Sequence, residues 1–364
     1  MAQTVTVFLF IKGTASSLIE QLVAQAQCAV AMDTLEKLRA LPQVGEIVVA
    51  TPSEEFAARA VAVGARVETD RVGEEFHWGR CLAELVQKYR AAAPLYIGGG
   101  SGGLMGIEDW RAIVEQVANE SNVVVANNFY SADFAAWSPG DALNKIEPPT
   151  LDNDLAYRLG ERAQLRVVAL PKNAATQLDI DTPTDLLTIS FHPAVGKHLR
   201  KFLDEARLDR TRVGQVRSLL KSRAANLVIA GRVSASMALF LERSTLCQWR
   251  IFSEERGMRA SGRDERGQVR SLLGFHLDQV GVKGLFDVLK RLSDATILDS
   301  RVLFAHRQIQ PTAPDRFHSD WLDVESIENP WVREFTQAAR DAAIPVLLGG
   351  HSLVSGGMYA LVES

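Results

Sequence analysis

Residues 165–187 read LRVVALPKNAATQLDIDTPTDLL, and the order of features in this stretch decides the fold class. Arg166–Leu170 is a short β-branched run of strand length. The segment Leu178-Asp-Ile-Asp-Thr-Pro-Thr-Asp-Leu186 then marks a helix start. The Thr182 hydroxyl can cap free amides, Pro183 suits the first turn, and Asp185 complements the positive end of the helix dipole. Asp179 and Asp181 precede the cap in extended chain, where alternate side chains face opposite sides. One of the two can therefore face a cleft and hold a hard cation, and capping alone is the competing reading.

Upstream, the same grammar repeats. Thr4–Ile11, Glu46–Thr51, Arg66–Thr69, Pro94–Ile97 and Asn122–Ala126 read as further strands, each separated from the next by enough chain for a crossover helix. Ser53 can cap a helix through Phe56, and Gly64 stands where a left-handed residue would end it. Parallel strands with right-handed crossovers predict a Rossmann-like, mostly parallel sheet that binds ligands at the carboxyl ends of its strands. Downstream, residues 191–224 read as a helical connector with apolar positions Leu199, Leu203, Leu208, Val213, Val216 and Leu220. Beyond it, Asn226–Ala230, Trp249–Phe252, Thr296–Phe304, Pro345–Leu348 and Met358–Val362 are expected as strands. Helices are expected at Ser234–Glu242, Val269–Asp278, Leu285–Leu292 and Trp331–Ala342. The expected organisation is an α/β domain over 1–190, the connector 191–224, and a second α/β domain over 225–364.

The 364 residues suit about two domains of ordinary size, and 47% apolar with 23% charged residues is the profile of a folded globular chain. Cys28, Cys81 and Cys247 are scattered, with no CxxC pair or Cys/His cluster, which predicts neither a disulfide framework nor a zinc site and fits a reducing cytoplasm. No export signal and no membrane span is read. The net charge of −4 hides an asymmetry. Residues 1–190 carry 15 basic and 24 acidic side chains, a net of −9, whereas 191–364 carry 25 and 20, a net of +5. An acidic half that handles phosphates needs a divalent cation or backbone donors, while a basic half can meet an anion directly. Residues 197–223 hold nine basic and three acidic groups, but no aromatic stacking platform accompanies them, so a solvated helix face is expected and not a nucleic-acid site.

The N-terminal strand and loop, ALPQVGEIVVATP, AARAVAVGARVETD, a strand and loop followed by GIEDWRAIVEQV, and LRVVALPKNAATQLDIDTPTDLL together resemble nucleotidyltransferases of the GT-A type over roughly residues 3–190. The element order is most similar to that of molybdenum cofactor and 2-phospholactate guanylyltransferases. The resemblance implies Mg²⁺-dependent transfer of a nucleoside monophosphate from a nucleoside triphosphate to a phosphorylated or sugar-type acceptor, with release of pyrophosphate. The loop after the first strand, Ile11-Lys-Gly-Thr-Ala-Ser-Ser17, has one glycine where the family is glycine-rich. Lys12, the amides of Gly13 and Thr14, and the hydroxyls of Ser16 and Ser17 remain the expected phosphate contacts. Where the family places a metal-holding aspartate after the strand ending at Ile97, this chain has Gly98-Gly-Gly-Ser-Gly-Gly103. Asp133, Asp152, Asp179 and Asp181 are then the candidates to collect the Mg²⁺, with Lys12, Asp133 and Asp181 in the catalytic roles. The competing class is a noncatalytic protein that keeps nucleotide or sugar-phosphate binding.

The glycine run, with Gly99, Gly100, Ser101 and Gly102 at its centre, lets backbone amides approach a ligand closely, or else is a flexible connection. Asn127, Asn128 and Ser131 follow a strand end and offer neutral groups to a base, ribose or sugar hydroxyl. Asp152 can also simply cap the helix after it, and His77 and Arg80 sit at another helix start. In the second half, Arg250, Arg256, Arg259 and Arg263 suit phosphate or carboxylate recognition, with Glu254 and Glu255 as competing partners. His306, His318, Asp320 and His351 are titrating types with no metal spacing. Pro345-Val-Leu-Leu-Gly-Gly-His-Ser-Leu-Val-Ser-Gly-Gly-Met358 can place His351 and Ser352 against an oxyanion, and it lacks a GxSxG elbow.

Overall fold

The computed structural model describes residues 3–11, 15–69 and 76–364. The chain divides into two compact units, one made of residues 1–15, 24–179 and 194–202 and the other of 16–23, 180–193 and 203–364. Both are α/β.

The first unit is built on a seven-stranded sheet of β1 (Val5–Phe10), β2 (Val44–Ala50), β3 (Arg66–Glu68), β4 (Ala93–Gly98), β5 (Val123–Ala126), β6 (Phe134–Ser138) and β7 (Arg166–Ala169), in the order β3-β2-β1-β4-β6-β5-β7. All neighbours are parallel except at β6, which runs antiparallel to β4 (Tyr96 opposite Ala135) and to β5 (Val124 opposite Trp137). The expected strands are present within about two residues of their ends. The strand β6 was not foreseen, and no crossover helix precedes it: residues 127–133 turn the chain straight back.

Period-two alternation places the core. Val5, Val7 and Leu9 face one side, packed with Leu35, Leu38, Phe56, Trp110, Ile113 and Val117. Phe8, Val48, Tyr96 and Val124 face the other, packed with Trp78, Leu82, Val86, Leu155 and Leu159. Ser53 caps the helix Glu54–Ala62 as expected, with Gly64 at φ +84° after it, and His77 caps Trp78–Lys88 through Nδ1. The basic stretch begins as a braced helix. Asp33 accepts from the amides of His198 and Leu199 at 2.9 and 3.0 Å, and Glu36 pairs with Lys197 and His198.

The second unit carries β8 (Asn226–Gly231), β9 (Gln248–Ser253), β10 (Ala295–Asp299) and β11 (Val346–Gly349), all parallel, in the order β11-β10-β8-β9. Its core joins Val228, Ala230, Leu298 and Leu348 to Leu277, Leu285, Phe286 and Leu289 of the helix Leu272–Leu292 and to Val332, Phe335 and Ala339 of the helix Pro330–Asp341. The two expected helices around residues 269–292 are present within Leu272–Leu292, separated at Gly281, whose φ of +73° is not helical.

Two expectations are corrected. The strand read over Thr296–Phe304 stops at Asp299, and Ser300–His306 is helix; Met358–Val362 is not a strand but part of the helix Met358–Glu363, entered through a π turn at Leu353–Gly357. Both segments are buried all round, Val302, Leu303 and Phe304 in one and Met358 to Leu361 in the other. A short apolar run without periodicity does not distinguish buried strand from buried helix.

Candidate functional site

At the carboxyl end of β4 the glycine run forms a tight, buried turn. The amide and hydroxyl of Ser101 both donate to the carbonyl of Gly98, at 3.1 and 2.7 Å. Gly102 holds a φ of +74°, and a Cβ there would lie 2.5 Å from the Trp110 ring; one on Gly99 would lie 2.2 Å from Ile11. Packing and conformation therefore account for two of the glycines. Ser101 also pairs as an isolated antiparallel bridge with Asp179, so the start of the DIDTPTDL segment is fastened to the turn.

Three acidic residues of the first unit gather at this edge. The amide of Gly98 donates to the carbonyl of Asp133 at 2.9 Å, which brings the Asn127–Asp133 loop against the turn. Asn127 is 2% exposed and braces that loop from inside. Its Nδ2 donates to Asp133 Oδ2 (2.7 Å) and to the carbonyl of Thr176 (3.0 Å), and its Oδ1 accepts from the Asp133 amide (3.0 Å). Asn128 forms a turn with the amide of Tyr130, and Ser131 accepts from Asn153 at 3.0 Å, tying this loop to the one that carries Asp152. Asp152 Oδ2 accepts from the Tyr96 hydroxyl at 2.7 Å and lies 3.7 Å from where a Cβ on Gly98 would stand. Burial, with the Asp152 charge beside it, holds the Tyr96 hydroxyl well above its ordinary range, so it stays a donor at every physiological pH. Tyr96 packs edge-on against Trp78 and Phe10, with ring centroids 4.8 and 5.5 Å apart.

Lys12, Gly13 and Thr14 lie outside the described residues. Among the described residues no group of three or more His, Cys, Asp or Glu side chains is placed to hold a metal by protein ligands alone. Mg²⁺, however, keeps several waters and is commonly bound by one or two carboxylates plus substrate phosphates. A half-buried Asp152 fixed by a hydroxyl is the kind of ligand that needs such outer support, and Asp133, fixed by Asn127, is a second. The residues fit Mg²⁺ in that sense.

Asp181 is exposed and belongs to the second unit, as does the rest of the capping box. There Asp185 is fully buried. Its Oδ2 accepts from the Thr182 amide (2.7 Å), the Thr182 hydroxyl (2.9 Å), the Asp181 amide (3.1 Å) and the Ser352 hydroxyl (2.8 Å). Burial, assisted by the neighbouring Asp181 charge and opposed by these donors, pushes its carboxyl up to about 7. Ser352 is thus turned inward onto a carboxylate, and Ser355 donates to the His351 carbonyl.

The second-unit arginines separate along the sheet. Arg250 reaches Asn226 at the amino end of β8, at 3.2 Å, whereas Arg256 follows the carboxyl end of β9. Arg263 pairs with Glu255, and Glu254 is spent on the start of the helix Leu272–Leu292. His306 accepts from the Ser271 amide and faces Asp278, and Asp320 is locked to Arg301. Sequence reasoning passed over Tyr96, Arg232, Asp299 and Arg301. The available signal was positional: Arg232 follows, and Asp299 ends, an apolar run of strand length.

No protein-family model and no curated protein matches the chain. Solved structures to which it is similar include a CMP:2-keto-3-deoxy-manno-octonic acid synthetase complexed with CTP, 14% identical, covering 50% of this chain and 95% of that one with a TM-score of 0.37. A cytidylyltransferase from Leptospira borgpetersenii is 14% identical over 56% of this chain and 95% of its own, with a TM-score of 0.39. A 4-diphosphocytidyl-2C-methyl-D-erythritol synthase from Anaerococcus prevotii is 10% identical over 50% of this chain and 92% of its own, with a TM-score of 0.37. No helix among the described residues is long and apolar enough to cross a membrane.

Proposed function

We propose that the first unit binds a nucleoside triphosphate and transfers its nucleoside monophosphate to a phosphorylated or sugar-type acceptor. The observation that carries this reading is the position of Asp152. A carboxylate from a distant loop stands beside Gly98, at the end of the strand after which the resembling enzymes carry their metal-holding aspartate, and Tyr96 fixes it there. Asp152 and Asp133 would hold Mg²⁺, with Asp179 beside them. The ion would neutralise charge on the triphosphate as an acceptor oxygen bonds to the α-phosphorus and pyrophosphate leaves. Asn128 and Ser131 border the same edge with neutral polar groups suited to ribose or sugar hydroxyls. Lys12 and Gly13 complete the proposal as phosphate contacts. The resemblance to molybdenum cofactor and 2-phospholactate guanylyltransferases makes GTP the first triphosphate to try.

The test is pyrophosphate release by the full chain with Mg²⁺, each common nucleoside triphosphate and a panel of phosphorylated and sugar acceptors, alongside calorimetric titration. Release with one triphosphate, and loss of both release and Mg²⁺-dependent binding in Asp152→Asn, support the reading. Triphosphate binding that ignores Mg²⁺ and the Asp152→Asn change, without any release, favours the second reading, a noncatalytic nucleotide or sugar-phosphate binder. The glycine run in place of a strand-end aspartate is what keeps that alternative in view.

A further inference from the structure

The carboxyl edge of the four-stranded sheet gathers polar groups from all four strand ends. The chain passes from β8 outward to β9, and later from β10 outward to β11, so β8 and β10 are the neighbours at which the direction of winding reverses. An open parallel sheet binds ligands outside its strand ends at that point; the recess there, lined by Gly231, Leu298 and Asp299, is only about 10 Å³, so a ligand would rest over the edge and not within it. Arg232 follows β8 directly, Arg256 comes three residues after β9, Asp299 ends β10, and His351 comes two residues after β11.

Asp299 is buried and accepts from Arg232 Nε and Nη2 at 2.5 and 3.0 Å. Burial, the largest single influence, would raise its carboxyl, but the charge and hydrogen bonds of Arg232 together with the nearby Arg301 and His351 hold it below the usual range, so the pair is ionised and close to neutral as a unit. The contact uses the Nε and Nη2 edge of Arg232 and leaves Nη1 over. The guanidinium of Arg256 is exposed and makes no hydrogen bond or ion pair among the described residues, yet it acts electrostatically on His351. The half-buried His351 ring has no hydrogen bond either. Burial, with Arg232 and Arg256 pressing the same way against Asp299, lowers it to about 4. At neutral pH it is an uncharged ring within electrostatic reach of both guanidinium groups. Glu254, which also lines the recess, has both carboxylate oxygens engaged by Ser271 and Leu272.

We propose that this edge is a binding site for the phosphoryl group of a small phosphorylated molecule, with Arg256 and His351 as its ligands and Arg232, anchored by Asp299, completing it. Donors supplied from the ends of three different strands of one sheet edge suit a tetrahedral anion with several oxygens better than a planar carboxylate, which one guanidinium meets edge-on. The inference concerns the second unit alone and stands independently of nucleotidyl transfer in the first.

The experiment follows the histidine ring resonances of the full chain through a pH titration, with His351 assigned by difference from His351→Gln. Inorganic phosphate is compared with chloride and with acetate at matched ionic strength. Phosphate is expected to move the His351 titration upward, toward neutrality, because a bound anion favours the imidazolium. Arg256→Ala, a change at an exposed position, should weaken that response about tenfold, equivalent to roughly 1.4 kcal/mol. An equal shift with chloride or acetate, a His351 titration unmoved by phosphate, or an unchanged response in Arg256→Ala would each overturn the proposal. Asp152→Asn should leave the phosphate response intact, so failure here and failure of the nucleotidyltransferase reading are told apart.

Discussion

At the carboxyl edge of the seven-stranded sheet the described side-chain donors to the acidic groups include neutral ones, Tyr96 on Asp152 and Asn127 on Asp133. At the same edge of the four-stranded sheet they are met by guanidinium groups, Arg232 on Asp299 and Arg301 on Asp320. The difference sets what each edge can receive. Carboxylates oriented by hydroxyl and amide groups are suited to the role proposed for them, to hold a cation that meets a phosphate. Carboxylates paired with arginine have no call on a metal, and what they leave for a ligand is the spare guanidinium edge. The split of −9 and +5 between the two halves of the sequence is a coarse trace of this contrast.

The contrast is easiest to break at Arg301. Its Nη1 bonds Asp320 at 2.7 Å and Ser300 at 2.9 Å, and both partners of the pair are buried. Removing one member of a buried pair leaves an uncompensated charge, at a cost of about 3–5 kcal/mol. Arg301→Met should therefore lower the denaturation midpoint by that equivalent, and a loss under about 1 kcal/mol would mean that the pair is not the structural fastening described. Next in size is Asp152→Asn, which should reduce Mg²⁺-dependent triphosphate binding or turnover by at least about a hundredfold, in the range seen when metal-site groups are removed. It should leave the unfolding transition nearly unmoved, because Asp152 is only half-buried.

Asp185, like Asp315, is a buried carboxylate of the second unit met by amides or hydroxyls and not by a guanidinium, and it tests what that does to protonation. Its folded value of about 7 stands above the roughly 3.9 of an unfolded aspartate. Between these values the folded chain binds more protons than the unfolded one. The stability linked to this group is therefore fully present below about pH 4 and is lost as pH rises through 7, at up to about 1.4 kcal/mol per pH unit. Asp185→Asn should flatten that slope between pH 5 and 7, as read from urea midpoints across the range. An unchanged slope would assign the titration to other groups.

How much of this was legible in the sequence follows from the range of the interactions. Strands such as Val5–Phe10 and Val123–Ala126 announce themselves by β-branched runs, and Ser53, Thr182 and Pro183 announce their helices by local capping chemistry. The strand Phe134–Ser138 does not, because Phe-Ala-Ala-Trp-Ser has little β-branched content and its place is set by pairing with β4 and β5. The site divides the same way. Asp152 was legible as a carboxylate after a proline break, but Tyr96, the residue that fixes it, is 56 positions away in an apolar strand where a hydroxyl carries no signal. Asp299 and Arg232 are 67 positions apart, and only the parallel pairing of β8 with β10 brings them together. Asp185 read as a charge for the helix dipole, and its burial inside the second unit, invisible from nine residues of motif, changes its protonation instead.

Tyr96→Phe asks whether the Tyr96 hydroxyl supports Asp152 in the cation-holding role proposed for it. The ring stays, so the packing against Trp78 and Phe10 is kept and only the hydroxyl that donates to Asp152 is lost. If Tyr96 merely fills the core, the variant behaves as wild type in every assay at a small cost in stability. If it orients Asp152, the apparent Mg²⁺ affinity in triphosphate binding falls by about tenfold, the lower end for a group that supports a metal ligand, while triphosphate binding measured without Mg²⁺ is unchanged. The same pair of measurements on Asp152→Asn gives the upper limit of the effect. A Tyr96→Phe loss equal to that limit would mean that the carboxylate has no useful orientation without its hydroxyl partner. No loss at all would leave Tyr96 a packing residue, with the role proposed for Asp152 decided by Asp152→Asn alone.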